Sequence, residues 1–220
     1  MSEWWTYRPS DFLLFSPQTY YRLFELYNTQ IWPLQILTLA CGVTILVLVR
    51  YNPPWQGRVI AAILATIWLW VAWAYHLQRY ASINWAANYF AIGFAIEAAL
   101  LIWIGIIKDH LVFLAAKSTL KNTGLGIFLF ALFIQPLLGA VAGRGWLQSE
   151  IFGVAPDPTA VATLGIILLT TKKFYGLLLL IPFLWCAISG TILFTMDSPD
   201  ALVLPIVAIL ALFLALRKAN

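Results

Sequence analysis

Residues 86–107 read AANYFAIGFAIEAALLIWIGII, a run of twenty-two residues with a single ionisable side chain, Glu97, at its middle. As a helix rising about 1.5 Å per residue, the run is long enough to cross the roughly 30 Å hydrocarbon layer of a bilayer. A lone carboxyl at that depth is costly when charged and unpartnered, so it must be protonated, paired or placed beside water. Each of those solutions puts Glu97 on the inside of a helix bundle.

Composition agrees. With 62% hydrophobic and 10% charged residues, the chain lies far from the soluble globular norm of about 25% charged. Its 220 residues leave room for one transmembrane helical domain, and no hydrophilic run is long enough for a separate soluble one. The net charge of +4 comes from basic residues set singly or in pairs between apolar spans. That is membrane topology rather than a phosphate-binding patch, and it argues against a nucleic-acid partner.

Taken in order, residues 1–30 form an amphipathic N-terminal segment without a spanning run or a cleavable signal peptide. Ser16 before Pro17 predicts an N-cap and first turn, and Tyr20, Leu23, Phe24 and Tyr27 recur at helical spacing. Such a helix either lies in the interface, anchored by Trp4 and Trp5, or packs as a lid on the bundle end. Residues 31–218 form the transmembrane domain. Spans are expected over 31–49, 59–76, 86–107, 125–142, 174–195 and 201–216, with a short surface helix between lysines in 108–124. The irregular piece is 158–170, about thirteen residues or roughly 20 Å of helix, with Asp157 placed as its cap and Pro158 at its first position. It reads either as a half-helix presenting free N–H groups or as a crossing completed by extended chain at 151–154.

The expected fold is therefore all-α, a polytopic bundle of about seven spans with one short. An outward N-terminus puts nine basic residues, among them Arg50, Arg58, Lys108 and Arg217, on the cytoplasmic side and four, Arg8, Arg22, Arg79 and Arg144, outside. A cytoplasmic C-terminus follows.

Depth counting places Glu97 and Gln135 both near the midplane, where a hydrogen bond between them is expected. HLQRYASINWAANY, with His76, Tyr80, Asn84 and Tyr89, reads either as an outward vestibule leading to Glu97 or as an aromatic belt. Gly139 and Gly143 stand at GxxxG spacing, a helix-packing signal. His76 and His110 fall on opposite sides, no Cys/His cluster exists, and no Walker, GxSxG or HExxH motif is present. Neither a metal, a cofactor nor an enzymatic constellation is expected.

At SEWWTYRPSDFLLFSPQTYYRLFELYN, GVAPDPTAVATLG and LWCAISG, the chain resembles a family of small bacterial multispan membrane proteins. That family is catalogued as a domain of unknown function and sometimes labelled a permease. The resemblance implies a bacterial inner-membrane setting and supplies no active site. The leading reading is a permease-like protein passing a small solute, ion or proton along His76, Tyr80, Asn84, Tyr89, Glu97 and Gln135, with Asp157 on the broken element beside them. Two others stay open. One is a non-catalytic accessory subunit or homo-oligomer among membrane lipids; the other is a membrane enzyme acting on a lipid or isoprenoid through a lateral opening at His76 or Glu97.

Overall fold

The computed structural model describes residues 14–113, 118–171 and 176–219. Among them the chain is all-α, with eight helices. They are α1 (Pro17–Gln30), α2 (Leu34–Tyr51), α3 (Gln56–Trp70, continued by a π turn at Val71–Leu77) and α4 (Ala87–Leu101, continued by a π turn at Ile102–Ile107). Next come α5 (Thr119–Leu129, a π turn at Phe130–Ile134, then Gln135–Val141), α6 (Pro156–Leu168), α7 (Gly176–Thr195) and α8 (Val203–Ala219). Helices α2, α3, α4, α5 and α7 are long and apolar enough to cross a membrane; α6 and α8 are apolar but shorter.

Helix α1 begins as its sequence dictates. The Ser16 hydroxyl accepts from the Thr19 amide at 3.2 Å, and Pro17 occupies the first turn, where its missing N–H removes no hydrogen bond. Its apolar stripe, Tyr20, Leu23, Phe24 and Tyr27, is buried on the bundle. The Phe24 ring stacks on Tyr75 at 5.2 Å, and the Asn28 side-chain amide donates to the carbonyls of Leu147 and Ser149 at 2.8 and 2.9 Å. The turn after α7 also reaches α1, since the Tyr21 hydroxyl lies 2.8 Å from that of Ser198. These contacts define a lid end of the bundle. The expected anchors Trp4 and Trp5 lie outside the described residues.

Every residue of α6 is buried. The helix is apolar all round, the pattern of a core helix rather than a surface one. Trp68 of α3 donates its indole N–H to the Thr163 hydroxyl at 2.9 Å, and Thr163 in turn donates to the Thr159 carbonyl at 2.8 Å. Against α5 the contact is backbone to backbone. A Cβ at Gly165 would fall 2.7 Å from the Gly124 carbonyl oxygen, and one at Gly124 would fall 2.8 Å from that of Gly165.

Several expectations are corrected. The close helix crossing is at Gly124 and Gly165, not at Gly139 and Gly143. Gly143 lies past the end of α5 in a left-handed turn, and Gly139 makes room for the Arg144 side chain. Among the described residues of 108–124 there is no separate surface helix. Residues 109–113 are irregular, with Leu111 and Phe113 buried, and Phe113 pairs with Thr170 below the C-terminus of α6. Helix α5 starts earlier than expected because Ser118 caps it, accepting from the Lys121 amide at 3.1 Å. Asp157 is not a cap either. The helix begins two residues sooner, with Ala155 at the N-cap and Pro156 first.

Gly165→Ala should destabilise the protein by about 1–3 kcal/mol, the usual cost of overpacking, measured as thermal unfolding in detergent. Gly126→Ala, where an added Cβ meets nothing within 4 Å, should be neutral or mildly stabilising.

Candidate functional site: a buried acid cluster at the start of α6

A helix start buried in a bundle presents orphan N–H groups that need partners or must be absent. The sequence Ala155-Pro156-Asp157-Pro158-Thr159 solves this largely by subtraction. Pro156 and Pro158 have no N–H, and the Ala155 amide donates to the Ile151 carbonyl at 2.9 Å. The Thr159 hydroxyl accepts from the Gly153 amide at 3.1 Å and donates to the Ala155 carbonyl at 2.7 Å. Gly153 turns the entering chain with φ of 83° and packs against Thr38.

Asp157 is thereby held inside the bundle, 1% exposed. One carboxyl oxygen accepts from the Trp185 indole N–H at 2.7 Å and the other from the Ser189 hydroxyl at 2.7 Å, both on α7. The Glu150 carboxyl, in the connection before the helix, lines the same small cavity as Asp157. Burial, and then the neighbouring Asp157, push the Glu150 carboxyl well above its ordinary range.

A second acid stands close by. Asp200 forms an ion pair with Arg144, and the Ser198 hydroxyl reaches its other oxygen at 2.5 Å. The Arg144 guanidinium lies 4.5 Å from the centre of the Tyr21 ring, closing a loop of contacts from α1 through both connections. Gln135 completes the group. It is 6% exposed, and its side-chain carbonyl has no hydrogen-bond partner. Gln135, Arg144, Glu150, Asp157 and Asp200 all line one small cavity of about 10 Å³, room for about one water molecule. Acids that line such a cavity can exchange protons with a water held in it. Among the described residues, no group of three or more His, Cys, Asp or Glu side chains converges as metal ligands.

The seven residues expected to form a pathway are divided by the structure. Gln135 and Asp157 share the cavity. His76 and Tyr80 are enclosed, at 0% and 1% exposure, within a layer of rings: His76 lies 4.5 Å from Phe94 and 5.0 Å from Trp185, and Tyr80 5.6 Å from Tyr75. Asn84 is buried and accepts from the Ala86 amide at 3.0 Å, starting α4. Tyr89 faces outward, 66% exposed, beside the equally exposed Trp85. The patch thus combines an inner aromatic layer with an outer belt rather than lining an open vestibule. Glu97 is fully buried one turn from Phe94, and neither of its oxygens has a partner, so the expected bond to Gln135 is not formed.

The family comparison covers nearly this whole structure, with the match running over residues 17–220. The chain belongs to DUF6064, a family of unknown function. No curated protein and no solved structure matches this DUF6064 chain.

Sequence reasoning missed Arg144, Glu150, Asp200, Trp185 and Ser189. The signal was present in part, because Arg144, Glu150, Asp157 and Asp200 all fall in connections assigned to the same side. What the sequence does not carry is the depth to which the 146–155 connection folds inward.

The raised Glu150 carboxyl fixes a direction for pH dependence. The folded chain holds this proton more tightly than the unfolded chain, whose carboxyl titrates near 4.5. The stabilisation is complete below that pH and is lost as pH rises through the folded value. Glu150→Gln should therefore flatten the fall in thermal stability above about pH 5, measured by unfolding in detergent across a pH series.

Proposed function

We propose that this DUF6064 protein is a multi-pass membrane protein of the bacterial inner membrane that crosses seven times and moves protons, or a small solute coupled to them, through the acid cluster at the start of α6. The observation that carries the reading is the small cavity that Glu150, Asp157 and Asp200 line together with Gln135 and Arg144, three acids gathered at one end of an otherwise apolar bundle. Membrane-buried acids of this kind are costly and mark ion or proton routes by default. A short helix beginning inside the bundle is also the arrangement in which transporters place their binding groups.

Each part of the cluster then has a role. Gln148, Arg144 and Glu150 lead inward from the lid end. Glu150 delivers its proton to Asp157, whose oxygens Trp185 and Ser189 keep in fixed orientation, and it is reprotonated from the lid end. His76 and Glu97, enclosed and without partners, are the acceptors farther along the chain's interior, behind the ring layer of Phe94 and Trp185. That layer is the barrier a transport cycle must open. With α1 outside, the cluster faces the periplasm, and Arg50, Arg58, Lys108 and Arg217 face the cytoplasm, in keeping with the excess of positive charge there.

The test is proton uptake into vesicles containing the purified protein and an internal pH dye. After an external acid pulse, wild-type vesicles should acidify faster than protein-free ones, and Asp157→Asn should return the rate to the protein-free level. A wild-type rate equal to that of empty vesicles, or a rate unchanged by Asp157→Asn and Glu150→Gln, would sink the proposal. Glu97→Gln in the same assay decides whether the route continues past the ring layer.

A further inference from the structure

Outside the acid cluster, a furrow runs between α2 and α3. Its upper part, about 470 Å³, is lined by Tyr27, Gln30, Gln78 and Arg79 together with the rings of Trp70 and Trp73. Its lower part, about 380 Å³, runs between Leu37, Thr38 and Cys41 on one side and Ala62, Ile63 and Thr66 on the other. Leu34 and Trp70 line both parts, so the two are continuous.

The chemistry changes along its length. At the top, Arg79 donates to the Gln30 side-chain oxygen and to the Gln78 carbonyl, both neutral acceptors, and among the described residues no carboxylate pairs with it. The hydroxyls of the lower part are spent on their own helices. Thr38 donates to the Gln35 carbonyl at 3.1 Å and Thr66 to the Ala62 carbonyl at 2.9 Å, leaving walls with no free hydroxyl. From Leu34 to Cys41 the wall extends about 10 Å along α2. The charged end lies at the level of exposed Trp32, Trp73, Trp85 and Tyr89, a belt that sits at the headgroup boundary. One unneutralised cation at the boundary, continuous with a dry slot in the hydrocarbon layer, matches a single amphiphile of opposite charge.

We infer that the furrow between α2 and α3 binds one anionic phospholipid, its phosphate at Arg79 and an acyl chain between Leu37 and Ala62. The furrow shares no lining residue with the acid cavity, and meets the chain entering α6 only at Gly153, which lines its lower part.

The full chain, purified in detergent and stripped of lipid, is titrated with phosphatidylglycerol and with phosphatidylcholine of the same acyl chains, read by native mass spectrometry and thermal shift. Phosphatidylglycerol should bind about fivefold more tightly, the worth of one arginine at an anionic surface. Arg79→Gln should erase that preference, while Arg58→Gln, at the opposite end and paired with Asp109 at 3.1 Å, should retain it. Ala62→Trp, which fills the lower slot, should weaken both lipids alike; should that variant not fold, Leu37→Trp at the exposed rim serves the same purpose. Equal binding of the two lipids, or a preference that survives Arg79→Gln, overturns the assignment. Stabilisation by glycerol phosphate equal to that by intact lipid overturns it too, because the occupant would then be a soluble phosphate compound.

Discussion

Desolvation at the start of α6 is the constraint on which the architecture rests. A helix that begins inside an apolar bundle brings backbone donors, and here two carboxyls, away from water, and each group needs a partner or has to be missing. The chain uses both routes. Proline at positions 156 and 158 deletes donors, Thr159 folds back on Gly153 and Ala155, and α7 supplies Trp185 and Ser189 to the two oxygens of Asp157. The position of α6 is therefore set by polar contacts with α7 at one end and by the Gly124–Gly165 contact with α5 farther down. In a bilayer, where apolar contact alone does not separate one helix arrangement from another, such fixed points define the bundle.

The same polar group ties the lid to the interior. Tyr21 of α1 covers Arg144, Arg144 pairs with Asp200, and Asn28 and Glu25 hold the 147–149 connection that leads to Glu150. Arg22 beside Glu25, with Gln148 behind it, holds the Glu25 carboxyl below its usual range, so this outer contact stays ionised at neutral pH. A displacement of α1 would break the cover over Arg144 and open the cluster to water. Access to the acids is thus mechanically linked to the amphipathic helix.

Much of this was legible in the chain. The apolar runs fixed the helices, Ser16-Pro17 fixed the start of α1, and the 3.6-residue stripe on α1 chose its buried face. Asp157 and Gln135 stood out because a polar residue beside a broken or proline-bearing span needs an explanation. The rest was not legible for physical reasons. Three π turns, each adding a residue to a turn, shift the side chains that follow them, so counting at 3.6 residues per turn misplaces His76 and Gln135 relative to Glu97. The turn at Phe130–Ile134 ends where Pro136 cannot supply its N–H, so one proline causes both the irregularity and the lost register. The inward fold of 146–155 depends on Gly153 and on contacts to α1, which no local pattern encodes.

The two interior acids pose different problems, and the contrast bears on what each can do. Asp157 is bound by an indole and a hydroxyl, one on each oxygen, so its charge is met by fixed donors. Glu97 has no partner on either oxygen and is enclosed by apolar helices. A charge there has nothing to balance it, and the carboxyl is tenable only in its neutral form. Charging Glu97 requires the surroundings to move and admit water or a counter-ion.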